Sequence, residues 1–316
     1  MIEYAETVRK RAKNLLTEGK VDVFIGYKKG SVPMANQPVI ISDPDRVDLL
    51  HWDSNCALNL CNYLTGRTDK IGIVATGCNS RNIVTHITEN QIKRDQLYII
   101  GIPCTGMIDH RAVQRAVKNR EILDVQEDGE MFIVIGDDFK ETFAKKDFLQ
   151  ENCSCCRHHN PVIYDEMVAE PVEEGSQIDP YETVRKIGEM EPEKRWGFFT
   201  RLIVRCIRCY ACRNACPLCY CPTCFVDESR PQWVGKSIDP TDTMTFHILR
   251  AYHCAGRCTD CGACERACPM GIPVRQFTKK LNKDALELFS WEAGLSLEQR
   301  PPLDVYSQDD YNDFVK

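Results

Sequence analysis

The chain has 316 residues, with 46 acidic against 40 basic side chains and a formal net charge of −6 at neutral pH. That length suits two domains. The acidic balance argues against nucleic acid as a partner, and no apolar run approaches the roughly 20 residues that span a bilayer. The start, MIEYAETVRKRAKNLL, is charged and amphipathic and lacks the apolar stretch and cleavage site of a signal peptide, so a cytoplasmic protein is expected. The unusual quantity is 19 Cys. In a long chain without an export signal, clustered cysteines point to metal rather than to a disulfide framework.

Residues 1–165 read as an α/β domain with a mainly parallel sheet. Glu3–Leu16 carries Val8, Ala12, Leu15 and Leu16 at helical spacing, closed by Gly19. Short runs rich in Ile and Val follow at Val21–Tyr27, Pro38–Ile41, Ile71–Ala75, Leu97–Ile102 and Met131–Ile135, the pattern of buried strands. Helices are expected between and after them at Ser54–Leu64, Ser80–Ile87, Arg111–Asn119 and Phe139–Phe148.

Residues 161–180 have six acids, no Lys or Arg, and breakers at Pro171, Gly175 and Pro180. An acidic linker is therefore expected over 166–190. A mostly α-helical dicluster ferredoxin domain is expected over 191–290, followed by an acidic tail over 291–316. Its helices should fall at Glu193–Val204, at Asp239–Tyr252 with Asp239 as N-cap and Pro240 at the first position, and at Val274–Phe289.

Two cysteine runs carry the chemistry. Cys206, Cys209, Cys212 and Cys216 precede Pro217; Cys258, Cys261, Cys264 and Cys268 precede Pro269. Each is a C-x2-C-x2-C-x3-C-P run, in which three thiolates wrap one iron–sulfur cube and the fourth reaches the other. One [4Fe–4S] cluster is thus expected on Cys206, Cys209, Cys212 and Cys268, and a second on Cys258, Cys261, Cys264 and Cys216. Zinc knuckles are the alternative, but zinc sites use separated Cys pairs, sometimes with His. The 41-residue gap 217–257, with its helix, resembles the α-helical ferredoxin domains of heterodisulfide reductase and succinate dehydrogenase iron–sulfur subunits.

Eleven cysteines remain. Cys219, Cys221, Cys224 and Cys254 read either as a further metal site or as small buried residues tuning the nearby clusters. Cys78, Cys104, Cys153 and Cys156 lie in segments expected after strands, where ligands collect in parallel sheets. They are the expected ligands of a third [4Fe–4S] cluster, with Cys155 able to replace Cys153 or Cys156. Cys56 and Cys61 read as core. His158 and His159 read as a solvated pair or as ligands, and Arg201, Arg205, Arg208 and Arg213 as a solvated face or as an offset for cluster charge. Phosphate-loop, dinucleotide, nucleophile-elbow, zinc-protease and haem-attachment motifs are absent.

The order GKVDVFIGYKKGS, DKIGIVATGCNS, LYIIGIPCTG, CSCCRHHNPVIYDEM resembles the deazaflavin-coenzyme hydrogenase/dehydrogenase β-subunit family, which includes β subunits of some formate dehydrogenases. Gly101-Ile-Pro-Cys104 sits where that family has its Gly-Thr-Pro-Cys-type turn, and Cys153 and Cys156 followed by Asp165 resemble its Cys-x2-Cys…Asp segment. The resemblance spans about 20–168 and implies electron transfer between a deazaflavin, FAD and iron–sulfur clusters. The dicluster part follows the α/β part here, whereas in many members it precedes it. The family pattern ends soon after Asp165, so much of the FAD surface is missing and no flavin site is carried over.

The expected role is an iron–sulfur electron-transfer subunit of a cytoplasmic multi-subunit oxidoreductase in anaerobic metabolism, of formate dehydrogenase, hydrogenase or heterodisulfide-reductase-like type. Its expected partners are flavin-, molybdenum/tungsten- or nickel-bearing subunits or heterodisulfide-reductase-like ones. The alternatives are an FAD oxidoreductase exchanging hydride with a deazaflavin or nicotinamide, and a zinc-stabilised interaction module.

Overall fold

In a computed structural model, the structure describes residues 2–302. Helix α1 (Ile2–Thr17) leads into strands β1 (Val23–Lys28) and β2 (Gln37–Ile41). Strand β3 (Ile71–Ala75) is followed by α2 (Gly77–Thr88), β4 (Leu97–Gly101) and α3 (His110–Ala116). These strands, with the two-residue β8 (Glu166–Met167), form a sheet in the order β2-β1-β3-β4-β8. The β1–β2 pair is antiparallel, while β1–β3, β3–β4 and β4–β8 are parallel. All five residues of β3 are buried, as an apolar run covered on both faces requires. Gly101 of β4 lies opposite Met167 of β8, so the acidic stretch 161–180 contributes a sheet strand.

Three sequence expectations are corrected. Met131–Ile135 is a strand, β6, but it belongs to a separate antiparallel sheet with β5 (Asp124–Asp128) and β7 (Lys140–Ala144). Phe139–Phe148 is therefore no helix. Its first half is β7, which joins β6 in a hairpin closed by the Gly136 N–H on the Phe139 carbonyl at 2.9 Å, and its second half is a 3-10 turn over Lys145–Phe148. Phe132 and Phe143 stack across this hairpin, and that cross-strand pairing overrides local helical preference. Ser54–Leu64 forms only a 3-10 turn at Leu60–Tyr63, because the Asn59 side chain accepts from the Cys61 N–H and starts a tight turn.

The chain continues through α4 (Glu151–Ser154), α5 (Glu182–Gly188), α6 (Pro192–Ile203), α7 (Ala211–Asn214), α8 (Pro240–His253), α9 (Ala263–Ala267) and α10 (Arg275–Phe289). Asp239 caps α8 by accepting from the Thr241 N–H at 2.8 Å, with Pro240 in the first turn, as the sequence indicates. Among the described residues no strand follows β8, and no helix is long and apolar enough to cross a membrane. Leu202, Phe246, Ile272 and Val274 form a core that encloses Cys212 and Cys268. The part of the acidic tail from residue 303 onward lies outside the described residues.

Candidate metal centres

The two cysteine runs adopt the same backbone. In the first, Arg208 and Tyr210 have φ of 50° and 58°; in the second, Asp260 and Gly262 have φ of 60° and 73°. These left-handed residues flank the middle cysteines, Cys209 and Cys261, and curl each loop. The Arg208 and Asp260 N–H groups point back at the Cys206 and Cys258 sulfurs, each at 3.4 Å. The third cysteine of each run then stands on a short helix, α7 or α9. Three of these four positions are non-glycine residues, so the curvature comes from the surrounding packing as well as from chain freedom.

The fourth cysteine of each run lines the cavity of the other. Cys206, Cys209, Cys212 and Cys268 line one cavity of about 330 Å³, together with Arg208, Phe246 and His247. Cys258, Cys261, Cys264 and Cys216 line a second of about 350 Å³, with Arg250, Thr259 and Cys254. Helices α7 and α9 lie side by side, which brings the two cavities together. Arg250 bridges them: it lines the second cavity and donates to the Cys212 carbonyl at 3.1 Å.

Both cavities have the chemistry of a cluster seat. Buried donors at their walls have no protein partner: Arg208 Nε at the first, Arg250 Nε and Thr259 Oγ1 at the second. Buried donors of this kind call for an acceptor, and sulfides and thiolates of a cluster are acceptors that such hydrogen bonds tune. Among the described residues, three possible ligand atoms fall within 4.8 Å of one another at Cys216, Cys219 and Cys254 alone. The thiols of the two quartets stand further apart, around a volume rather than a point. Burial pushes the Cys258 thiol up to about 12, so in the metal-free protein it keeps its proton until a metal displaces it.

A third cavity, of about 1090 Å³, lies where β3 and β4 end. Cys78, Cys104, Cys153 and Cys156 all line it, and so does Cys155. Cys78 stands in the first turn of α2 rather than in a loop, Cys104 in the loop after β4, and Cys153 in α4. Burial raises Cys153 to about 11 and Cys156 to about 12, and it also raises Cys104, which faces the charges of Cys153, Cys78 and Cys156. Cys155 also has Lys279 Nζ 3.0 Å from its sulfur. Arg266 lines the cavity with a partnerless Nε. Cys56 and Cys61 are buried; Cys56 reaches this cavity, while Cys61 bonds the Asn79 carbonyl.

The third cavity adjoins the second motif, since Cys258 and Cys261 line its far wall. Polar contacts lock the two together. Asn152 and Arg266 both donate to the Cys261 carbonyl, at 3.3 and 2.9 Å, and Arg266 reaches Gln150 at 2.7 Å. Arg111 donates to the Cys268 carbonyl at 2.6 Å. Arg275, 1% exposed, pairs with Asp260 at 2.8 Å and Glu265 at 2.9 Å. His158 binds Glu292 at 2.6 Å and His159 the Glu173 carbonyl at 2.6 Å.

The remaining sequence candidates separate. Cys219 and Cys254 meet Cys216, hydrogen bonds from Cys216 and Cys254 hold the Cys219 thiolate well below its usual range, and both partners are raised in return. Cys221 is exposed and Cys224 packs beside Phe225 in the core around Phe246, so the four do not form one group. Arg201 and Arg205 are exposed, Arg213 pairs with Asp227 at 2.8 Å, and Arg208 is buried at the first cavity. Arg250 and Arg266 escaped the sequence reading, because an arginine inside an apolar helix or a cysteine run carries no local mark of its burial.

A family described as a 4Fe-4S dicluster domain matches residues 203–272. The F420-dependent formate dehydrogenase subunit beta of Methanocaldococcus jannaschii is 23% identical over 352 aligned positions, covering 92% of each chain. The F420-dependent formate dehydrogenase 1 subunit beta of Methanococcus maripaludis is 24% identical over 357 positions, covering 92% of this chain and 91% of that one. A chain of the F420-reducing [NiFe] hydrogenase complex of Methanosarcina barkeri superimposes with a TM-score of 0.39 at 15% identity, over 50% of this chain and 59% of that chain. The chain is thus a homologue of F420-dependent formate dehydrogenase β subunits that carries a 4Fe-4S dicluster domain. The similarity covers 92% of the chain and so runs well past Asp165, where the sequence motifs end.

Proposed function

We propose that this homologue of formate dehydrogenase β subunits is the iron–sulfur relay of a multi-subunit oxidoreductase. The observation that carries the reading is the row of three cysteine-lined cavities, of which neighbours share walls or bridging residues. Cys206, Cys209, Cys212 and Cys268 would hold one [4Fe–4S] cluster, and Cys258, Cys261, Cys264 and Cys216 the second. Cys78, Cys104, Cys153 and Cys156 would hold a third at the ends of β3 and β4. Clusters so held supply one-electron transfer, with potentials set by charge, hydrogen bonds to sulfur and burial. The chain's own part is to exclude water, present donors such as Arg208 and Arg250, and fix the order of the three sites in a helical dicluster region joined to an α/β layer. Its partners are other oxidoreductase subunits at either end of the row.

The test is iron, acid-labile sulfide, zinc and flavin per chain in anaerobically purified protein. About twelve iron supports three clusters, and about eight leaves the dicluster alone. Several zinc with little iron would overturn the reading in favour of a zinc-stabilised module.

A second reading has one observation behind it. An open cavity of about 1730 Å³, lined by His51, Trp52, Asp53, Gly106, Glu127 and Lys145 among others, shares Cys104 with the third site. A flavin seated there would lie beside the third cluster, as an FAD oxidoreductase requires. Flavin released on denaturation, at about one per chain, decides for this reading.

A further inference from the structure

Three thiols converge behind the second cavity. The sulfurs of Cys216, Cys219 and Cys254 all lie within 4.8 Å of one another. Cys216 and Cys254 also line the cavity with Cys258, Cys261 and Cys264, while Cys219 does not. A cubane takes four thiolates. With three from the second run and Cys216 as the fourth, that quartet is complete, and Cys219 and Cys254 are left as a pair within reach of each other. We propose that Cys219 and Cys254 are a redox-active dithiol that closes to a disulfide and exchanges electrons with the cluster Cys216 completes. The proposal rests on the relay reading above.

The placement fits this use. A disulfide needs sulfurs at about 2.05 Å and β-carbons about 3.5–4.5 Å apart, which small rotations provide from a starting separation under 4.8 Å. Cys219 sits in a turn after α7, its N–H on the Cys216 carbonyl at 3.1 Å, and Cys254 is the C-cap of α8. Cys254 is 2% exposed, which shields its own sulfur from diffusing thiols and oxidants and leaves the cluster as the natural electron partner.

The step balances. On closing, the Cys254 S–H bond breaks, the Cys219 sulfur being a thiolate already, and one S–S bond forms. The Cys254 proton passes to water at the partly exposed Cys219, and two electrons pass singly to the two [4Fe–4S] clusters of the dicluster, one to each. Opening is the reverse. Such a pair stores two electrons beside carriers that move one at a time. A single metal ion on the three thiols is the rival, and it would withdraw Cys216 from the cluster quartet.

The experiment uses full-length protein purified without oxygen, poised at a series of potentials, quenched in acid and alkylated. Cysteine-bearing peptides are mapped by mass spectrometry, with iron and zinc counted on the same samples. The expected result is a Cys219–Cys254 disulfide at oxidising potentials that disappears at reducing ones, at about eight or more iron throughout. Cys219→Ser should abolish the disulfide at unchanged iron, and Cys221→Ser should leave it intact. Full iron with both thiols alkylated at every potential would overturn the dithiol alone. One zinc per chain that is lost in Cys219→Ser would overturn it in favour of the single ion. Iron well below about eight would overturn the relay reading, and the coupling with it.

Discussion

Lys279 ties Cys155 to the second cysteine run: the ammonium lies 3.0 Å from the Cys155 sulfur, and the same nitrogen is 2.7 Å from Asp260. The lysine is 2% exposed on its side chain, so this is a fixed tether between the third site and the dicluster. Of the three cysteines at 153–156, Cys155 carries this ammonium contact, while Cys153 accepts from the Met107 N–H and Cys156 donates to the His158 carbonyl, each at 3.4 Å.

The first prediction follows. Cys155→Ser should keep the full iron content, whereas Cys104→Ser or Cys156→Ser should lose about four iron per chain. Iron and sulfide analysis of the three variants checks this. Equal loss in Cys155→Ser would put that residue among the ligands in place of Cys153 or Cys156.

The crossing of the runs makes a second prediction. Cys268 lines the cavity of the first run, with Cys206, Cys209 and Cys212. Cys268→Ser should therefore change the same paramagnetic resonance signal that Cys206→Ser changes and leave the one that Cys258→Ser affects. The opposite pattern would show each run closing on itself.

Arg250 sets a third. It is 5% exposed, lies between the two cavities and keeps a partnerless Nε. A nearby fixed positive charge favours the reduced, more negative cluster. Arg250→Met should lower the potential of the second cluster by on the order of 50–100 mV, the size of a charge interaction at an effective dielectric of about 20. A redox titration followed by paramagnetic resonance reads this directly, with an unchanged potential as the contrary result.

The fourth concerns the segment that returns from α10 to α2. Arg81 donates to the Ala293 carbonyl at 2.9 and 2.7 Å and pairs with Glu292 at 3.1 Å, while His158 and Arg157 bind the same carboxylate at 2.6 Å each. Burial alone would raise the Glu292 pKa, but His158, Arg81 and Arg157 outweigh it and lower it to about 2. A lowered folded value means stability present above the ordinary carboxylate range and lost as pH falls through about 2. Glu292→Gln should cost a few kcal/mol at pH 7. Denaturant unfolding should show the same gap at pH 5 as at pH 7, closing only below about pH 4.5. A gap that shrinks between pH 7 and 5 would mean the carboxylate is not so held.

What could be read in advance depended on range along the chain. Ile71–Ala75 is a five-residue apolar run buried on both faces, and the sequence places that strand to the residue. Asp239-Pro240 marks the start of α8 because a cap is a matter of two adjacent residues. Phe139–Phe148 misleads for the converse reason. Its state is decided by pairing with β6 and by Phe132 and Phe148 around Phe143, contacts that no local pattern displays.

The cysteine spacing by itself determined that the chain has two four-thiol runs of ferredoxin type, because ligand geometry around a cube constrains neighbours two and three residues apart. The apolar runs read as strands also put Cys78 and Cys104 after β3 and β4, where a parallel sheet gathers ligands. Only the tertiary structure decided that Cys216 and Cys219 meet Cys254, that Lys279 tethers Cys155, and that Arg208, Arg250 and Arg266 line the cavities. Those are relations between residues far apart in the chain. They are set by how helices and loops pack, and packing energy is spread over many side chains, so no single stretch of sequence carries it.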